Sequence, residues 1–119
     1  MKRLLVCDDS TSIRNILKST LMEDFEVVEA ENGQIALDLA LKSTVDFFLL
    51  DVNMPVMDGI ALTTELRKLP QYAKTPIVML TSESRDERKQ LGKTAGANGW
   101  VVKPCEPEAL LGVIHKMIG

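Results

Sequence analysis

Cysteine is scarce in this chain of 119 residues: Cys7 and Cys105 are the only two. That is too few for the disulfide framework that staples a small secreted domain. Cys7 lies in an apolar run where a small buried residue fits. In the strand order derived below, the pair would stand three strands apart, at ~4.8 Å per strand, too far for a bond whose Cα atoms lie within ~7 Å. No apolar stretch approaches the ~20 residues that span a bilayer. The start, Met1-Lys2-Arg3-Leu4-Leu5-Val6, is basic, but its apolar run is too short for a signal peptide and ends at Asp8 and Asp9. Lysine and arginine form no long run, and 14 of them face 17 acids for a net charge of −3. That speaks against a nucleic-acid partner. Repeats, low-complexity tracts and linkers are absent. What remains is one cytoplasmic globular domain over residues 1–119. Its apolar fraction is 45% and its mean hydropathy +0.04, and it is long enough to bury a core.

The most informative stretch is Asp46-Phe47-Phe48-Leu49-Leu50-Asp51. A short apolar run without alternation suits a strand covered on both faces, as in a parallel sheet. It delivers Asp51 to the strand's C-terminal end, where open α/β sheets bind ligands. Around it, Lys2 to Cys7 reads as a strand. Ser10 or Thr11 caps a helix carrying Ile13, Ile16, Leu17 and Leu21. Phe25 to Ala30 alternates acidic and apolar residues, the mark of a half-exposed edge strand. Asn32-Gly33 opens a second helix. Asp58-Gly59 marks a turn before a third, which Pro70 stops. Ile77 to Leu80 is a fourth strand, ending in Thr81-Ser82. A charged helix begins near Ser84, with Gly96 capping its end. Trp100 to Val102 is a fifth strand, ending at Lys103-Pro104. Pro107 starts the last helix, with Leu110, Val113, Ile114, Met117 and Ile118 on one stripe.

Strand and helix alternate five times. The expectation is an α/β fold with a five-stranded parallel sheet and helices on both faces, joined by right-handed crossovers. With the second strand at the edge, the order is 2-1-3-4-5. Strand ends then gather Asp8-Asp9, Asp51, Thr81 and Lys103. Carboxylates so crowded repel, and a hard divalent cation such as Mg²⁺ answers that repulsion. With Lys103 and the Thr81 hydroxyl facing an incoming phosphoryl group, Asp51 becomes a nucleophile able to form an aspartyl phosphate.

The joint pattern resembles the receiver domain of two-component response regulators, over essentially the full length. The matching motifs are Asp8-Asp9, Asp51-Val52-Asn53-Met54-Pro55-Val56-Met57-Asp58-Gly59, Thr81-Ser82, Ala95-Gly96-Ala97 and Lys103-Pro104. The flavodoxin-like order 2-1-3-4-5 is also that family's. The resemblance implies that Asp51 takes a phosphoryl group from a histidine kinase's phosphohistidine. It implies that Asp9, Asp51 and the Asn53 carbonyl ligate Mg²⁺ directly, with Asp8 acting through water. It also implies a cis peptide between Lys103 and Pro104. Asn53 and Glu83 fall where dephosphorylation is tuned, and the pair is similar to that of chemotaxis-type regulators, which implies a short-lived phosphorylated state. Such a domain is a signalling module, not an enzyme beyond its own phosphorylation and dephosphorylation. The chain stops after its fifth helix, so no output domain is expected.

Trp100 departs from the pattern, since that position usually holds a Tyr or Phe whose ring turns inward on phosphorylation. An indole is larger and its N–H seeks a partner when buried, so it reads either as a switch or as a fixed binding residue. The fourth helix carries Arg85, Arg88, Lys89 and Lys93 with little apolar area. It is therefore the element most ready to shift. Helix four, strand five and helix five form the surface expected to dock a downstream protein of acidic or apolar character. Other readings fit less well. A haloacid-dehalogenase-type phosphatase needs a second Asp where Asn53 stands. A P-loop needs Gly where Glu87 stands. His115 reads as a solvated helix residue. The alternative inside the fold is a pseudo-receiver that binds partners and is never phosphorylated; the intact acid set argues against it.

Overall fold

The computed structural model describes residues 1–81, 86–103 and 106–118, with the backbone alone at 86–89. Ser82, Glu83, Arg85, the Lys103–Pro104 peptide and Cys105 lie outside the described residues, as do the side chains of Arg88 and Lys89. The strands are β1 (Arg3–Cys7), β2 (Glu26–Ala30), β3 (Phe47–Asp51), β4 (Ile77–Thr81) and β5 (Gly99–Val102). The helices are α1 (Thr11–Leu21), α2 (Gly33–Lys42), α3 (Gly59–Arg67), α4 (Asp86–Ala95) and α5 (Pro107–Ile118). The sheet is all parallel, in the order β2-β1-β3-β4-β5. The alternation read from the sequence is borne out.

Side chains on a strand point to alternate faces, and the core divides accordingly. Leu5, Phe48, Leu50, Ile77 and Met79 face α2 and α3, where Ala36, Leu62 and Leu66 close over them. Leu4, Val6, Phe47, Leu49, Val78 and Leu80 face α1 and α5, where Leu17, Leu21, Leu110 and Ile114 meet them. This division follows from handedness. Right-handed crossovers send α1 to one face while the chain moves out to β2, and the return past β1 to β3 reverses the direction. The central strand is buried at all its residues, whereas β2 is half exposed, as an edge strand must be.

Local chemistry sets the boundaries. Ser10, Asn32 and Asp58 cap α1, α2 and α3, each accepting the backbone N–H three residues on. Asp58 thus ends its loop as a cap. After α3 comes a single 3₁₀ turn, Pro70–Tyr72, which the periodicity did not announce. Tyr72 is buried edge-on against Phe48, and its hydroxyl lies 2.7 Å from the carbonyl oxygens of Ala40 and Ser43. Arg67 then ties the lower half together. Its guanidinium donates to the carbonyls of Tyr72, Thr75 and Gly96 and to Asn98 Oδ1, at 2.6–3.0 Å. Gly96, at φ 115°, ends α4 in the left-handed region where a side chain is strained.

Candidate functional site

Parallel strands place all their C-terminal ends on one edge, and the polar residues gather there. Asp8 follows β1 and is buried. Its N–H donates to the Ala30 carbonyl at 3.1 Å. Its Oδ1 accepts the Ser10 N–H at 2.8 Å, and its Oδ2 accepts Lys103 Nζ at 2.9 Å. Asp51 ends β3, also buried; its Oδ1 accepts the Asn53 N–H at 3.4 Å and lies 3.5 Å from the same Lys103 Nζ. Asp9 is exposed. One oxygen from each of Asp8, Asp9 and Asp51 falls within 4.8 Å of the others. Thr81 ends β4, fully buried. Its carbonyl accepts the Lys103 N–H at 2.6 Å, which brings the end of β5 alongside.

The electrostatics follow from this crowding. Burial pushes the Asp51 carboxyl up to about 6, the Asp8 charge adds to the rise, and Lys103 opposes it. Burial alone would lower the Lys103 ammonium, but its hydrogen bond to Asp8 and the Asp51 charge hold it above the usual lysine value. Cys7, beneath the acids, is driven to about 12 by burial and by Asp8 and Asp51. It is a packed thiol, 3.2 Å from Met54 Sδ, and inert. The donor set suits a small hard cation. An octahedral shell of radius about 2.1 Å spaces its oxygens by ~3–4 Å, close to what these carboxylates already span.

The loop after Asp51 is held tightly. Val56 has φ 70°, the sole non-glycine positive value among the described residues. The Met57 N–H donates to the Pro55 carbonyl at 2.7 Å, closing a strained three-residue turn around Val56. The Gly33 N–H, donating to the Met57 carbonyl at 3.1 Å, clamps it. A Cβ at Gly33 would lie 2.3 Å from that oxygen, so only glycine admits the contact. Exposed Asn53 sits on this loop.

Trp100 stands apart from the acids. Its half-buried ring packs beneath α4 at Gly92, where a Cβ would come within 2.9 Å of Cζ3. His115 is more than a solvated residue: its Nε2 lies 2.7 Å from Asp24 Oδ2, and its ring packs on Phe25. Sequence reasoning weighed Gly92 only within a rejected P-loop pattern, not beside Trp100, and passed over Arg14. The guanidinium of Arg14 donates to the Asp8 carbonyl. The signal that could have found it is a cation close to a helix N-terminus, where the dipole disfavours positive charge.

The family profile described as "Response regulator receiver domain" matches residues 4–115. Among solved structures, the Vibrio cholerae chemotaxis protein CheY4 is 45% identical, with a TM-score of 0.93 and 98% of each chain covered. A CheY-like receiver domain protein from Methanospirillum hungatei is 29% identical, with a TM-score of 0.92, over 98% of this chain and 93% of that one. The transcriptional regulatory protein SrrA of Staphylococcus aureus is 39% identical over 109 residues, 91% of this chain. The chain spans 44% of that relative's length. No helix among the described residues is long and apolar enough to cross a membrane. A profile match over nearly the whole sequence and a backbone that superposes throughout give one conclusion: the chain belongs to the receiver domains of two-component response regulators.

Proposed function

We propose that Asp51 accepts a phosphoryl group from the phosphohistidine of a histidine kinase, in a Mg²⁺-dependent reaction. The observation that carries this reading is the meeting of Asp8, Asp9 and Asp51 oxygens within 4.8 Å, with Lys103 Nζ 2.9 Å from Asp8 and 3.5 Å from Asp51. A carboxylate of Asp51 attacks phosphorus. The P–N bond of the phosphoimidazole breaks, and the ring nitrogen leaves with the electron pair. Asp9, Asp51 and the Asn53 carbonyl would hold Mg²⁺, with Asp8 behind them; the cation supplies charge neutralisation at the phosphoryl oxygens. Lys103 supplies a second positive charge, and the Thr81 hydroxyl donates to a phosphoryl oxygen. Asn53 and Glu83 then set the access of the hydrolytic water. On this reading the domain is a cytoplasmic signalling module whose only chemistry is its own phosphorylation and dephosphorylation.

The output is read on α4, β5 and α5. Leu91, Val102 and Val113 are exposed there at 52%, 39% and 38%. Gln90, Lys93, Ala97 and Trp100 line a recess between α4 and β5. This suits a downstream protein presenting acidic and apolar side chains. The Asn53/Glu83 pair and the similarity to CheY4 favour a chemotaxis-type partner; SrrA represents the transcriptional alternative. The test is incubation with acetyl phosphate and Mg²⁺, followed by intact mass. One phosphoryl group should appear, and Asp51→Asn should abolish it. Equal labelling of the variant would overturn the assignment. Decay of the label on the same sample, compared with Glu83→Ala, checks the tuning role.

A further inference from the structure

We infer that Arg14 is a positioning residue for the cation site, acting through the peptide between Asp8 and Asp9; this rests on the proposed Mg²⁺ reading. The three acids are not held alike. Asp8 is fixed by Ser10 and Lys103, and Asp51 by Asn53 and Lys103. Asp9 differs: no hydrogen bond or ion pair holds its carboxylate among the described residues. With no such side-chain partner to hold it, the place from which its carboxylate reaches the site is set by the backbone, which the Asp8–Asp9 peptide orients. The carbonyl of that peptide is the acceptor of Arg14 Nη1.

Arg14 is built to hold that carbonyl. Its side chain is 12% exposed, and each nitrogen of the guanidinium meets a different element. Nη1 holds Asp8, Nη2 reaches Thr11 Oγ1 at 3.3 Å, and Nε faces Glu29 Oε1 of β2 at 3.5 Å. Lys18 holds the other oxygen of Glu29 at 3.3 Å. A planar fork with three partners has one orientation, which a lysine would not reproduce. The brace thus runs from β2 through Glu29 and Arg14 to the peptide that aims Asp9. Residues behind metal ligands typically contribute 10–100-fold in affinity.

The sign of the effect separates positioning from charge. Arg14 is a cation near a cation site, so by charge alone its removal should tighten metal binding. By positioning, removal should weaken it. The experiment is calorimetric titration of the whole chain with MgCl₂, with melting in EDTA recorded in parallel. Arg14→Met and Arg14→Lys should both bind Mg²⁺ about tenfold or more weaker, Lys included because it keeps the charge and loses the fork. Lys18→Met removes a cation on the same carboxylate without touching Asp8, and should bind as wild type or tighter. Unchanged or tighter binding by Arg14→Met overturns the inference, as does full affinity in Arg14→Lys. If Arg14→Met does not fold, Arg14→Lys carries the decision. Failure of the wild type to bind Mg²⁺ would instead strike the phosphoacceptor reading.

Discussion

Replacing Asp51 by Asn should stabilise the metal-free protein, although it deletes the residue on which the proposed chemistry rests. In the fold, the Asp51 carboxyl is raised from 3.8 to about 6, first by burial and then by Asp8. The unfolded chain ionises at the lower value and the folded chain at the higher. Below pH 4 both states keep the proton and nothing is lost. Between pH 4 and 6 the unfolded state loses its proton first, so stability falls as pH rises, and above 6 the loss is complete. The full gap corresponds to about 3 kcal/mol. Screening at the solvent-facing edge reduces it to about 1–2 kcal/mol. The substituted amide would carry no charge to suppress and still offers an oxygen to the Asn53 N–H. Lys103 keeps its 2.9 Å contact with Asp8. For 119 residues, the unfolding entropy is ~0.25 kcal/mol/K, so Tm should rise by ~4–8 °C. The assay is thermal melting in EDTA at pH 8 and at pH 4.5. The gain should be largest at pH 8 and clearly smaller at pH 4.5. A variant that melts lower at pH 8 would refute the claim that these carboxylates are crowded.

Three further outcomes follow from the same geometry. Mg²⁺ at ten times its dissociation constant should add ~1.4 kcal/mol, seen as a metal-dependent rise in Tm that is diminished in Asp51→Asn. Gly92→Ala drives a methyl to within 2.9 Å of the Trp100 ring and should cost ~1–3 kcal/mol. It should also shift the emission of the chain's sole tryptophan, and a smaller ring, in Gly92→Ala/Trp100→Phe, should recover most of the stability. Arg67→Met removes the staple that joins Tyr72, Thr75, Gly96 and Asn98. The loss in urea denaturation should be about 2–3 kcal/mol, and a change under about 0.5 kcal/mol would mean that solvent replaces those bonds without penalty.

The strand–helix alternation was legible because each element carries its own period. Phe47 to Leu50 cannot be a half-exposed strand, and Glu26 to Ala30 cannot be a central one. Once all strands run parallel, whatever ends each of them must lie on a single edge. Asp8, Asp51, Thr81 and Lys103 could therefore be grouped before any coordinates. Trp100 could be marked as oversized for its position, but its accommodation could not be read, because it depends on Gly92, which belongs to another element. The 3₁₀ turn at Pro70–Tyr72 escaped for a similar reason: what holds it is Tyr72 reaching the carbonyls of α2 and Arg67 reaching its own.

The sequence by itself determined the element types, the strand order and the edge where the acids converge, since each follows from a local pattern and the handedness of crossovers. Tertiary structure alone decided which cation serves which carboxylate. It brought Lys103 to Asp8 and Asp51, turned Arg14 towards the Asp8 carbonyl, and seated an indole against a glycine. Those choices depend on distances of a few ångströms between elements far apart in the chain, and such distances are set by packing volume, to which hydrophobic periodicity is blind.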